Sequence, residues 1–160
     1  MVAAAMIMPP DSFPSCVNRM NCLCRKYRKD DLKTLQRLIL ELGYSVELTD
    51  LENNIRAIYK KGGEIFVAEK DRETVGSVCV LMDARLAEGL YAEIVSLIVS
   101  ENARGKGVGK ALVQKAESWA RKRVNKVRVR ANVIRSSSHA FYKNQGYEEI
   151  KTQKIFIKKV

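Results

Sequence analysis

Residues 103–112 read ARGKGVGKAL, three alternating glycines that run straight into a helix-forming pattern. Glycine lets backbone approach a ligand closely and takes conformations closed to other residues. A helix start adds unpaired amides and the positive end of the helix dipole, so the combination suits an anion such as phosphate. Two familiar phosphate loops do not fit. A P-loop ending at Gly109-Lys110 would need glycine where Arg104 stands and a hydroxyl where Ala111 stands. The dinucleotide fingerprint needs GxGxxG, whereas Gly105, Gly107 and Gly109 give GxGxG. A flexible turn remains the plain alternative, but it leaves the flanking Arg104, Lys106 and Lys110 unexplained.

The surrounding pattern predicts the scaffold. Alternation at 21–25 predicts a short strand, and Leu32, Leu35, Ile39 and Leu42 share a helical face after a cap at Asp30. TDLENNIRAIYKKGG predicts a second helix capped by Thr49 or Asp50. EIFVAEK and TVGSVCVLMDAR, separated by Asp71-Arg72-Glu73, read as a tight hairpin, and YAEIVSLIVS as a strand that becomes continuously apolar, as buried strands do. Val108, Leu112, Ala116 and Trp119 recur at helical spacing. KVRVRANV reads as a strand, SSSHAFYKNQG as a serine-capped helix, and YEEIKTQKIFIKK as terminal strand. The order β-α-α-β-β-β-α-β-α-β predicts a mixed α/β domain, with a mainly antiparallel central sheet flanked by helices and one βαβ crossover at the glycine loop.

A length of 160 residues suits one domain, read here as 17–160 after a disordered leader at 1–16. No apolar run approaches the ~20 residues that span a bilayer, so no membrane partner is expected. Four cysteines without a CxxC pair, and a single histidine, argue against a metal site and fit a reducing, cytoplasmic compartment. Net charge is +11; residues 101–130 hold ten lysines or arginines against two glutamates, a local +8. A solvated basic face explains this blandly. Without interleaved aromatics or a nucleic-acid motif, nucleic acid is not expected, and a polyphosphate small molecule serves equally well.

A strand followed by Arg104-Gly105-Lys106-Gly107-Val108-Gly109 and a helix resembles the acetyl-coenzyme A loop of the GNAT superfamily of N-acetyltransferases. SLIVSENARGKGVGKALVQKAESWA is similar to that family's central motif, and AFYKNQGY to its tyrosine-bearing helix; the likeness spans about residues 17–150. It implies the GNAT fold, with a splayed parallel strand pair opening around acetyl-CoA. The backbone of Leu97, Ile98 and Val99 would pair with pantetheine, and Arg104, Gly105, Lys106, Gly107, Val108, Gly109 and Lys110 would hold the pyrophosphate. Asn132 would bond pantetheine, or else simply end a strand in a turn. Tyr142 matches the general acid that protonates the departing thiolate, a modest transfer between groups of ordinary pKa about 10 and 8.5. The plain alternative is a packing tyrosine. Glu93 stands near where related small-molecule enzymes place a carboxylate acting through water, or is a paired structural glutamate.

Two departures bear on the acceptor. Arg135 stands where most of the family has Asn, and NVIRSSSHAFY resembles the branch that acetylates aminoalkylphosphonates and other small amines. Enzymes that modify ribosomal protein N-termini carry glutamate where this chain has Arg130. The expectation is an N-acetyltransferase using acetyl-CoA as co-substrate on a small primary amine, by direct attack in a ternary complex. A protein lysine or N-terminal acceptor, a non-catalytic acyl-CoA-binding module and a homodimer stay open.

Overall fold

The structure, a computed structural model, describes residues 22–160. The leader expected at 1–16 lies outside those residues. Five strands, β1 (Cys22–Lys26), β2 (Glu64–Lys70), β3 (Glu73–Arg85), β4 (Gly89–Val99) and β5 (Val127–Val129), form one sheet in sequence order. The first three pairings are antiparallel, and β4 pairs β5 in parallel. Helices α1 (Leu32–Glu41) and α2 (Leu48–Lys60) precede β2; α3 (Val108–Arg121) makes the crossover from β4 to β5, and α4 (Ser136–Asn144) follows.

Strand alternation sorts two cores onto the two faces. Phe66, Ala68, Val78, Val80, Ala92 and Ile94 pack against Val108, Leu112, Val113, Ala116 and Ala120 of α3. Those α3 positions recur three or four apart, which is why the helix forms there and buries that stripe. Leu112 and Val113 are fully buried, each stabilising the fold by about 1.5–3 kcal/mol. On the opposite face Ile65 and Cys79 meet Leu35 of α1 and Leu51 and Ile55 of α2. The β2–β3 hairpin closes through Asp71 and Arg72 at φ 51° and 65°, the paired left-handed backbone whose twist suits a two-residue turn.

A buried carboxylate ties the first strand to this frame. Asp31, at the end of a 3₁₀ turn (Lys29–Asp31), accepts bonds from Arg25 Nη1 and Nη2 at 2.7 and 2.8 Å. It also accepts from the Thr74 hydroxyl and the Arg28 amide, each at 2.8 Å. Burial pushes its carboxyl pKa up, but the bonds from Arg25, Arg28 and Thr74 outweigh it and hold the group below its ordinary 3.8.

Several boundaries differ from expectation. Asp31, not Asp30, immediately precedes α1, because a 3₁₀ turn intervenes. The second helix starts at Leu48 after Glu47, so Thr49 and Asp50 lie in its first turn, where Asp50 still favours the dipole. Arg135, not a serine, precedes α4. The second cleft strand stops at Val129, and residues 130–135 leave the sheet. The terminal strand is absent: residues 147–160 carry no regular structure, and Ile155, Phe156 and Ile157 are exposed. Alternation reports only that a segment suits a half-buried surface, and does not by itself bring the segment to a sheet edge. Lys151 instead meets Glu88 at 3.3 Å, and Lys143 meets Glu149 at 3.0 Å.

Candidate active site

The cleft arises where β4 and β5 part company. Their register runs Ala92↔Val127, Glu93↔Arg128 and Ile94↔Val129, and there β5 ends while β4 continues to Val99. At that point β4 carries a bulge: Val80 faces Ile94 but Cys79 faces Ser96, so Val95 is the extra residue. Side chains exchange faces across it. Glu93 lies opposite Leu81, on the α1–α2 face, whereas Leu97 and Val99 pack into the α3 core. Residues 96–99 hydrogen-bond β3 alone, leaving their far edge without a strand.

The glycine loop follows at once. Buried Ala103 anchors a 3₁₀ turn (Glu101–Ala103) against the core. Gly105 and Gly107 hold φ of 70° and 77°, the left-handed region where any side chain is strained by about 1–2 kcal/mol. Gly107 caps α3, so the amides of Val108, Gly109 and Lys110 open the first turn, where no intrahelical acceptor exists. Arg104 Nε donates to the Val99 carbonyl at 3.1 Å, and Lys106 Nζ to that of Asn102 at 2.7 Å, so two cations brace the loop. A Cβ on Gly109 would stand 3.4 Å from the Phe141 ring and 3.7 Å from Val99, which draws the start of α3, α4 and the end of β4 together. Left-handed glycines, first-turn amides and cations at the end of an open-edged strand fit a pyrophosphate-bearing ligand.

Tyr142, like Leu97, Val99 and Phe141, packs against the core on the α3 face. Its ring meets Phe141 and Tyr147 edge-on, with centroids 5.1 and 5.6 Å away. Burial pushes its phenol up to about 12, so it stays protonated at neutral pH. Among the described residues its hydroxyl has no hydrogen-bond partner, while Tyr147 donates to Glu117 at 2.9 Å. Asn132 lies beyond β5: its Oδ1 accepts the Ile134 amide at 3.2 Å, and its carbonyl accepts from the Arg135 amide and His139 Nε2. Arg135 stands immediately before α4.

Glu93 is only 3% exposed. Its Oε2 accepts from Arg128 Nε at 3.0 Å and Nη2 at 2.5 Å, and its Oε1 accepts from Arg130 Nε at 2.6 Å. Arg128 also reaches Asp83 at 3.1 Å and stacks 4.2 Å over the Tyr91 ring, while Tyr91 donates to Asp83 at 2.9 Å. Sequence reasoning missed this network. The signal was available: in KVRVRA the arginines alternate with apolar residues, so Arg128 and Arg130 share one side of the strand. A buried glutamate on the neighbouring strand needs such partners.

Comparison with known proteins now bears on the geometry. A sequence model described as the Acetyltransferase (GNAT) family matches residues 29–147. An uncharacterized N-acetyltransferase of Chlorobaculum tepidum is 30% identical over 131 residues, 81% of this chain and 77% of its own length. An aminoglycoside antibiotic 6'-N-acetyltransferase from Acinetobacter haemolyticus shares the fold at TM-score 0.74 and 18% identity, over 86% of this chain and 98% of that one. Glucosamine-6-phosphate N-acetyltransferase from Arabidopsis thaliana does so at TM-score 0.69 and 20% identity, over 85% and 97%. The chain belongs to the GNAT family of acetyltransferases. Enzymes of that family generally take their acyl group from acetyl-CoA.

Proposed function

We propose that this chain transfers acetyl from acetyl-CoA to the primary amine of a small molecule, by direct attack in a ternary complex. The observation that carries the reading is the open edge of β4 at 96–99, leading into left-handed glycines and a helix start. Acetyl-CoA, when bound, supplies an activated acyl carbon and a thiol leaving group. Leu97, Ile98 and Val99 offer backbone groups to pantetheine, residues 104–110 hold the pyrophosphate, and the carboxamide nitrogen of Asn132, unused by its own turn, adds a donor. The amine nitrogen bonds the acyl carbon as the carbon–sulfur bond breaks, and Tyr142 gives its proton to the sulfur. Glu93 receives the amine's proton through water. A carboxylate has about four lone-pair sites, and three N–H donors leave one on Oε1.

Direct attack is favoured over an acyl-enzyme by the state of the thiols. Burial pushes Cys24 to about 11 and Cys79 to about 12, far from the thiolate a nucleophile needs. The described cysteines are unpaired, in keeping with a cytoplasmic setting. Aminoglycosides and glucosamine 6-phosphate, the acceptors named for two structural neighbours, support a small-molecule acceptor here. An amine panel read by thiol release tests the function: release with small amines but not with peptides is expected, and the opposite pattern would make the acceptor a protein.

The cofactor cradle has its own test. Gly107→Val forces a β-branched side chain to φ 77°, so the loop must rearrange. Coenzyme A at about 100 times its dissociation constant should stabilise the wild type by ~2.7 kcal/mol. The variant should remain folded by circular dichroism and lose that thermal shift; a retained shift would remove the loop from the cofactor site.

A further inference from the structure

Arg128 of β5 and Arg130 just beyond the strand reach the same buried carboxylate, yet they are held very differently. Arg128 is locked: it grips Glu93 through two nitrogens, reaches Asp83 and Glu88, and lies over the Tyr91 ring, with its side chain 20% exposed. Arg130 is tethered by Nε alone, its side chain is 55% exposed, and among the described residues its two terminal nitrogens meet no acceptor. A guanidinium pinned at Nε keeps its planar outer edge fixed and turned away from the pinning carboxylate. That edge matches the two oxygens of a carboxylate or phosphate.

Position gives the edge its use. Arg130 follows the last residue of β5, where the parallel pair parts, and bonds Glu93, which lies opposite Leu81 on the α1–α2 face. Tyr142 and the glycine loop, assigned above to the acyl donor, belong to the α3 face. An amine reaching the open strands from the α1–α2 side therefore passes the outer edge of Arg130.

We infer that Arg130, oriented by Glu93, is the acceptor-specificity residue, and that the preferred amine carries a carboxylate or phosphate group. This rests on the acetyltransfer reading above. The test uses acceptor pairs that differ only in the anion: an amino acid with its decarboxylated amine, and O-phosphoethanolamine with ethanolamine, each followed by thiol release. Wild type should show kcat/KM at least about tenfold higher on one anionic member than on its neutral partner, and which pair responds tells carboxylate from phosphate. In Arg130→Gln, checked as folded by circular dichroism, the loss should fall on KM and exceed that on the neutral partner by about tenfold or more. Arg130→Lys, a point charge without the fork, should restore only part of the preference. Equal kcat/KM within both pairs in wild type would overturn the inference, as would a fall in Arg130→Gln shared equally by both members. Thiol release from no amine at all would overturn the acetyltransfer reading, and the acceptor assignment with it.

Discussion

Tyr142→Phe should lower turnover ~100-fold or more while leaving coenzyme A affinity essentially unchanged. The substitution keeps the ring and its edge-on contacts with Phe141 and Tyr147, and removes a hydroxyl that bonds no described residue. Folding should barely register the change. The elevated phenol sharpens the expectation. A group at about 12 facing a thiol of ordinary pKa about 8.5 would give up its proton against a gradient of about 5 kcal/mol if the thiolate left first. Transfer must then accompany carbon–sulfur cleavage, while the sulfur is still gaining charge. The same elevation fixes the pH dependence: the protonated acid persists below its folded value, so kcat should stay level through pH 10, where an ordinary phenol is half ionised. Wild-type turnover in the variant would reduce Tyr142 to a packing residue.

Asp31→Ala should produce the largest loss of stability, about 2–4 kcal/mol, after discounting for the partial exposure of Arg25. For a domain of this size that is a fall in Tm of very roughly 10 °C. The change removes four hydrogen bonds at once and leaves Arg25, Thr74 and the Arg28 amide without their shared acceptor. The sign of its pH dependence follows from the depressed carboxyl. Its stabilisation is fully present above the ordinary value near 3.8 and fades as pH falls through the lower folded value. Urea unfolding at pH 7 should therefore separate wild type and variant widely, and at pH 3 less so. An equal gap at both pH values would mean that packing, not charge, holds this corner.

Most of the scaffold was legible because its signals are local. Helix α3 announces itself through Val108, Leu112 and Ala116, and the cap at Gly107 through the only residue type at ease at φ 77°. The first four strands are legible for the same reason. The failures are those of partnership. Residues 147–160 alternate as a strand would, yet a ladder needs a second strand, which no local pattern can supply. Glu93 was visible as a candidate, but its two arginines lie 35 and 37 positions away and reach it only through the parallel register. The continuous apolar run at the end of β4 was read as burial on both faces. It owes part of its look to Val95, half-exposed in the bulge.

That bulge makes β4 a parity device. Counting along an ordinary strand, odd positions stay odd: Tyr91, Glu93, Leu97 and Val99 would all look the same way. One inserted residue inverts the count, so a single strand addresses the buried Glu93 carboxylate to one face of the sheet and the Leu97 and Val99 side chains to the other. Deleting Val95 would leave Ser96 opposite Cys79 and Leu97 opposite Val78 and remove only the local kink, whereas a residue added or lost within the regular part of the ladder would turn every later side chain to the other face. The bulge therefore marks the one point on this strand where a length change leaves the alternation intact.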